Sequence, residues 1–552
     1  MEESGMKDGM RKGAAILLTL VLLWTAALAE DVLPARQYTK NENGEAVVDD
    51  VAPGTGEADI GQNGVFYEIF VGSFSDSDGD GIGDLRGIIN RLDYLNDGDP
   101  DSGLSLGVDG LWLTPVYPSS SYHKYDVDNY YSIDPAFGTV EDLKELVTLC
   151  HARGMKVILD LPINHVSSRS DWYRFFYNAR LMHNFKNAYY DFFSTIPSDS
   201  PNPPGRKFIP VRNLDVRVEA NFSDDMPELN FDNEAVRQAV LDVARFWLEA
   251  GVDGFRFDAA KYIYFGDHAQ SVAFWDWYIG ELKKIRSDLY VVAEVWDGEG
   301  ITDRYAPVMN TFNFAVAQQS GLIAETAKHG DVNRFTAYIQ RTVDRLKGLR
   351  ADAMNVLFIA NHDTDRCAGY LTVASGSMQM AANLYLLSPG SPFIYYGEEI
   401  GLRGSRGGAN TDANRRLAML WGDGDTVTDP VGATYLAKNQ TPYSVRDLLG
   451  RSDSIYTYYK RLLMVRRAYP EIAAGDYRAL TLQNTKVGGF VSTLNGSSVA
   501  VLHNTTNRDI TVNLAGAGLW EGIAIADTVG FGTATLDGTV LTLGAQTSVI
   551  LK

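Results

Sequence analysis

Two cysteines in 552 residues are too few for a disulfide framework or a four-cysteine zinc site. Basic residues are also short: 49 Lys and Arg stand against 70 Asp and Glu, and the formal net charge is −21. A chain of that balance has no basic face to neutralise phosphates, so nucleic acid is not an expected partner, and anionic lipid would repel it. Long apolar runs are scarce. One stretch, AAILLTLVLLW at 14–24, is apolar almost throughout, and no other is long enough to span a bilayer. No G-x-G-x-x-G turn marks a dinucleotide fold. Apolar mass is plentiful: 45% of the residues are hydrophobic, 11% aromatic and 22% charged, a globular composition with ample material for a large core.

Lys7, Arg11 and Lys12 precede the apolar run, and Ala27-Leu28-Ala29 supplies a small-x-small cleavage site after it. That is the pattern of a secretory signal over 1–29, which predicts a secreted, extracellular protein with no membrane attachment once the signal is removed. The competing reading is an uncleaved anchor, which the run is too short to favour, since a span needs about 20 apolar residues. Residues 30–63 are polar, acidic and low in aromatics, and predict a flexible leader. Cys150 falls in a helical pattern and Cys367 in a loop; two free thiols are expected, a chance disulfide being the alternative.

From residue 64 short β-rich runs alternate with amphipathic helical stretches, among them VFYEIF, DGLWLTP, KVILDL, GFRF, YVVAEVW, FNFA, NVLFIA and FIYYG. Eight strand–helix units in roughly 400 residues fit a (β/α)8 TIM barrel, because parallel strands require helical crossovers. A doubly wound sheet is the alternative. The barrel is expected over 64–165 and 231–468, interrupted after its third strand by an inserted subdomain at 166–230. That insertion is rich in aromatics, Asn and Pro. Its rings at 172–193 form either its own core or a sugar-binding wall. After residue 469 Gly/Thr/Val-rich runs predict a carboxy-terminal antiparallel β-sandwich.

In such a barrel the chemistry gathers at the carboxyl ends of the strands. Those ends carry Asp160 and Asn164-His165, then Arg256 and Asp258, then Glu294, then Asn361-His362-Asp363. One such Asp alone would be read as a helix cap; four strand ends arming one rim would not. Paired carboxyl groups suit glycoside hydrolysis, in which one must donate a proton to a poor leaving group while the other attacks or activates water. An Arg beside the attacking group would keep it ionised and leave its partner as the acid.

The segments DLPINH (160–165), GFRFDAAK (254–261), EVW (294–296) and FIANHD (358–363) resemble the four ordered signatures of the α-amylase family, glycoside hydrolase family 13. MPELN (226–230) resembles its fifth, with Glu228 where Asp is commoner, and the resemblance runs from about residue 64 to the carboxy terminus. It implies Asp258 as nucleophile, Glu294 as general acid/base and Asp363 as the group that binds sugar hydroxyls and favours the distorted ring. Arg256 would orient Asp258, while His165, His362, Lys261, Tyr125 and Asp126 would contact substrate. The implied activity is retaining hydrolysis of α-1,4-glucosidic bonds in starch and maltooligosaccharides, by a monomer. An α-glucosidase, a cyclomaltodextrinase or a 4-α-glucanotransferase of the same family remain the alternatives, with a non-catalytic carbohydrate-binding relative further off. Ala259 after the nucleophile is similar to α-1,4-acting members, where α-1,6-acting ones often carry Val. Tyr262 departs from the family's His after the Lys.

One motif lies outside that rim. DSDGDGIGD places Asp76, Asp78, Asp80 and Asp84 at loop positions 1, 3, 5 and 9, with the Ile82 carbonyl at 7. Gly87 occupies position 12, so this is no EF-hand, but four carboxylates in nine residues repel unless a cation sits among them, and Ca2+ is expected. A solvated acidic turn is the alternative. A second calcium site through Asn164 is left open.

Overall fold

The computed structural model describes residues 36–407 and 412–552; the signal expected at 1–29 lies outside the described residues. Seven parallel strands run in the order 310–311, 290–293, 254–257, 156–161, 110–113, 66–69 and 393–395. The segment 356–360 closes the circle. Phe312 bridges Val356 in parallel, the Asn313 amide donates to Val356 O at 2.9 Å, and the Phe393 amide donates to Leu357 O at 2.7 Å. Closure makes the sheet a (β/α)8 barrel and excludes the doubly wound alternative.

The strands Phe66–Ile69, Gly110–Leu113, Gly254–Phe257 and Tyr290–Ala293 are buried at every position, as strands covered by helices on one side and a filled barrel on the other must be. Alternate residues fill the interior. Phe66, Trp112, Ile158, Tyr290, Val292, Phe312 and Phe393 form one inner cluster, with Phe66 4.4 Å from Tyr290 and 5.0 Å between Phe312 and Phe393. The residues between them pack outward on the helices. Helix Val140–His151 illustrates the local code: a Thr139/Asp142 capping box starts it, and Leu143, Leu146, Val147 and Cys150 form its inner stripe. Cys150 and Cys367 are both buried and free.

The insertion holds helix Asp171–Leu181 and a three-stranded antiparallel sheet ordered 195–197, 216–219, 208–210. Phe176 and Phe193 meet at 5.1 Å and Trp172 and Phe192 at 5.4 Å, so much of its aromatic cluster is its own core. The His165–Glu228 bridge ties it to the barrel rim, and Phe193–Leu229 closes it internally. The carboxy-terminal strands form a five-stranded sheet (476–480, 487–494, 497–504, 547–551, 525–530) and a three-stranded one (510–513, 540–543, 534–537) with a shared apolar core including Leu502, Leu541 and Val549.

The leader expectation needs correction over 37–63. These residues lie against the barrel: Ala46 and Val48 are buried, Val48 N donates to Gly103 O at 3.1 Å, and Thr55 N donates to Ala468 O at 2.9 Å. Helix Ile455–Ala468 supplies Lys460 to Ala46 O and Arg461 to Asp50, and Arg461 also reaches Asp527 of the sandwich at 2.9 Å. Low aromatic content hides such a segment because only a few small apolar residues, Ala46 and Val48 among them, are buried, and the other anchors are backbone amides, a carbonyl and the Asp50 carboxylate.

Candidate active site

Period two along the strands builds the rim. With Phe66, Ile158, Tyr290 and Val292 facing inward, the inward positions at the strand ends fall to Glu68, Asp160 and Glu294, and registry sets Arg256 beside both Asp160 and Val292. Four charged side chains thereby share the end of a barrel that is apolar beneath them. Such placement is costly unless each charge is paired.

Arg256 is fully buried and serves three carboxylates. Its Nη1 donates to Asp160 Oδ1 and Oδ2 at 2.9 Å and to Asp258 Oδ1 at 2.7 Å, while its Nη2 donates to Glu294 Oε2. A second cluster lies beside it. The His362 ring donates from Nδ1 to Glu68 Oε1 at 2.6 Å, and its Nε2 is 3.1 Å from Asp363 Oδ2 and 2.7 Å from the Tyr125 hydroxyl. The Tyr125 hydroxyl in turn donates to Asp160 Oδ2 at 2.9 Å, which joins the two clusters. Arg416 closes the second one: Nη2 donates to Asp363 Oδ1 at 2.7 Å and Nε to His362 O at 3.0 Å.

The titration behaviour follows from this pairing. Burial pushes Glu294 up and Arg256 draws it down, but the neighbouring Asp258 and Asp363 charges add to the rise, and the carboxyl stands at about 8. At neutral pH it carries a proton. Burial also acts to raise Asp363, yet His362 and Arg416 hold it well below the ordinary carboxylate range. Burial would lower His362, and the Asp363 and Glu68 carboxylates on either side overcome it, to about 10. The rim therefore separates a protonated carboxyl at Glu294 from an ionised one at Asp363, with Asp258 gripped by a guanidinium. Ala259, directly after Asp258, is left-handed (φ 48°, ψ 35°), a conformation uncommon for a residue with a Cβ. It turns the chain so that the Ala260 amide reaches Glu294 O at 3.1 Å.

Six residues expected from the sequence converge here: Tyr125, Arg256, Asp258, Glu294, His362 and Asp363. His165 is buried at the rim, its ring 5.1 Å from Phe222, with neither ring nitrogen bonded to protein. Lys261 sits at the edge, donating to Trp296 O at 2.7 Å and to Asp297 Oδ2 at 3.0 Å. Asp126 is buried beside Tyr125, and its carboxylate accepts from Ser119 at 2.5 Å, Ser120 at 3.0 Å, Ser121, and Arg169 at 3.2 Å. Glu68 and Arg416 were not anticipated. A Glu inside the wholly buried strand FYEI was a legible signal for the first; Arg416 comes from a loop 54 residues beyond His362 with no local mark.

A closed barrel whose rim sets one protonated and one guanidinium-held carboxyl side by side defines a glycoside hydrolase. A family model described as "Alpha amylase, catalytic domain" matches residues 68–475. The chain is 34% identical to "Alpha-amylase 3" of Dictyoglomus thermophilum, over 82% of this chain and 86% of that one. It is 28% identical to the "Oligo-1,6-glucosidase" of Bacillus cereus (82% and 91% covered) and 28% identical to the "Trehalose synthase/amylase TreS" of Mycolicibacterium smegmatis (78% and 80%). Among solved structures, "Eubacterium rectale Amy13B" superposes with a TM-score of 0.81 at 29% identity over 90% of this chain and 97% of that one. The α-amylase from H. orenii superposes at 0.76 with 33% identity (89% and 99%). The chain belongs to the α-amylase family, glycoside hydrolase family 13.

The acidic loop is formed in part as expected. Oxygens of Asp76, Asp78 and Asp84 lie within 4.8 Å of one another, whereas Asp80 is outside that group and accepts the Ile82 amide at 2.7 Å. Amides and hydroxyls donate to these carboxylates, among them Gly79 N and Thr426 Oγ1 to Asp76 and Ser77 Oγ to Asp84. Oxygen donors without a competing basic side chain suit a hard cation. At the junction with the insertion, where a second site was left open, burial and the nearby Glu219 raise Glu228 to about 8, and Arg206 already engages Glu219 at 2.6 Å.

Proposed function

We infer that the chain is a secreted, retaining α-amylase that cleaves α-1,4-glucosidic bonds of starch and maltooligosaccharides. The observation that carries the reading is the shared guanidinium: Asp258 and Glu294 occupy adjacent nitrogens of Arg256, which holds the two carboxyl groups close, as a double displacement requires. In the first step protonated Glu294 gives its proton to the glycosidic oxygen as that bond to C1 breaks. An oxygen of Asp258 bonds to C1 and the leaving chain departs with the proton. In the second, the Glu294 carboxylate takes a proton from water, the water oxygen bonds to C1, and the Asp258–C1 bond breaks. Asp363 and protonated His362 bind hydroxyls of the ring under attack in this reading, which the Arg416 contact supports by keeping Asp363 ionised.

Two features support α-1,4 preference. The chain's 34% identity is to an α-amylase, and Ala259 adopts a left-handed conformation that a β-branched residue would find costly. The relative named oligo-1,6-glucosidase favours α-1,6 action as a second reading. Chromatography of products from soluble starch, maltotriose and isomaltose separates them. A ladder of short maltooligosaccharides from starch is expected; glucose alone, products longer than maltotriose from maltotriose, or cleavage of isomaltose would each overturn the endo-hydrolytic α-1,4 reading.

Export and calcium are parts of the same proposal. Secretion is supported by the tripartite sequence at 1–29, and amino-terminal sequencing of protein from culture medium should begin at Glu30. Asp76, Asp78 and Asp84 would hold the ion, which supplies charge neutralisation to the loop and no step of the reaction. Exhaustive chelation should lower the melting temperature, and readdition of Ca2+ should restore it; an unchanged midpoint would count against the site.

A further inference from the structure

The insertion meets the barrel along a short antiparallel seam. His165 pairs with Glu228, the Leu229 amide donates to Asn164 O at 3.0 Å, and the Val166 amide donates to Pro227 O at 3.1 Å. The seam is locked in turn to the insertion's own sheet: the Glu228 amide donates to Glu219 O at 2.9 Å, and the Ser194 amide donates to Glu228 O at 3.0 Å. His165 depends on this arrangement. Neither of its ring nitrogens has a protein partner, so the backbone of the seam and the Phe222 ring, 5.1 Å away, fix where the imidazole sits.

Two carboxyl groups are buried at the seam, Glu219 and Glu228, and buried carboxylates are costly without a compensating cation. This is also the place where a second calcium site through Asn164 was left open. The residues present do not fit one. Glu219 Oε1 accepts from Arg206 Nε at 2.6 Å and Asn221 Nδ2 at 2.8 Å, and Oε2 accepts from Arg206 Nη2 and from Ser194 Oγ at 2.8 Å. Those donors use up the about four lone-pair directions of a carboxylate. Glu228 Oε1 already accepts the Asn221 amide at 3.0 Å. Asn164 and Glu228 by themselves fall short of the about six to eight oxygens that a calcium ion takes. The guanidinium stands where the charge of an ion would be. Arg206 lies over the Phe208 ring at 5.2 Å and borders a cavity of about 520 Å3 that Tyr262 and Tyr264 also line.

We propose that Arg206 is the built-in cation of the junction between barrel and insertion, in place of a metal ion, and that through Glu219 and the seam at 227–229 it positions His165 on the catalytic rim. The planar fork does two things at once: it neutralises Glu219 and, by two parallel bonds, fixes its direction. The rim is then assembled without calcium at this junction, whatever the acidic loop at 76–84 holds. The inference goes beyond the α-1,4 reading and does not depend on it.

Two measurements test it. Bound calcium is counted by elemental mass spectrometry after dialysis against Ca2+ and gel filtration. Asp76→Asn/Asp78→Asn, which disarms the acidic loop, should retain none, and an ion still held by that variant overturns the proposal. A wild type free of calcium supports the metal-free junction and tells against the acidic loop instead. The second measurement is kcat/KM on whichever of starch, maltotriose and isomaltose the wild type cleaves. Arg206→Ala should lower it by about 10- to 100-fold, the scale on which a displaced rim group slows a reaction. Guanidinium chloride at tens of millimolar should restore most of the loss by entering through the cavity. Methylammonium, which has the charge without the fork, should restore little, and Arg206→Lys should fall between wild type and Arg206→Ala. Arg212→Ala, which removes an exposed guanidinium of the same insertion, should leave kcat/KM unchanged. An unchanged kcat/KM in Arg206→Ala, or a loss that guanidinium does not recover, overturns the positioning role.

Discussion

Glu68→Gln is the most informative single change at the rim, because Glu68 touches His362 and none of the groups that make or break bonds. In the wild type His362 is buried between Glu68, at 2.6 Å, and Asp363, at 3.1 Å, and stands at about 10. In the unfolded chain it titrates near 6.5, so the fold binds a proton that the unfolded chain releases. The stabilisation is complete below pH of about 6.5 and fades as pH climbs toward 10. Three and a half pH units correspond to a ceiling of about 5 kcal/mol, shared between the two carboxylates. Removing the Glu68 charge should cost about 2–3 kcal/mol near pH 6, the scale for a buried charge-assisted hydrogen bond. With unfolding entropy near 2.1 cal/mol/K per residue, about 500 folded residues give roughly 1 °C per kcal/mol. Calorimetry should therefore show the variant melting about 2–3 °C lower at pH 6, with the gap to wild type closing by pH 9.5–10. A gap of equal size at both pH values, or none at pH 6, would refute the ion-pair reasoning.

Other consequences are direct. Asp258→Asn should abolish turnover by about four orders of magnitude while leaving the melting temperature near the wild-type value, since Arg256 keeps Asp160 and Glu294; retention of most activity would remove the nucleophile assignment. Glu294 must be protonated to donate and stands at about 8, so kcat should fall on the alkaline side of about pH 8; a flat profile to pH 10 would contradict it. Ala259→Val should destabilise by about 1–3 kcal/mol through its left-handed backbone, whereas Ala259→Gly should be tolerated, as urea unfolding would report.

Much of the rim was legible because each strand end carries its motif within a few residues: Arg256 and Asp258 lie on one strand end, His362 and Asp363 are adjacent, and strand periodicity alone aims Glu294 inward. The partners of Asp126 were not legible: three serines and Arg169 hold its carboxylate, and Arg169 arrives from 43 residues away. The 37–63 segment was misread because hydrophobic pattern is the usual signal of packing, and here a few buried small apolar residues and backbone hydrogen bonds do the holding.

What the sequence determined by itself was the order of elements, the signatures at the strand ends and the shortage of positive charge. Those follow from local periodicity and composition. Barrel closure, the sharing of one guanidinium by three carboxylates, the entry of Arg416 from a distant loop and the pairing of Arg206 with Glu219 were decided only by the tertiary structure. Each depends on which residues far apart in the chain meet in space, and the raised Glu294 and His362 come from burial and neighbouring charge, which exist only once those residues have met.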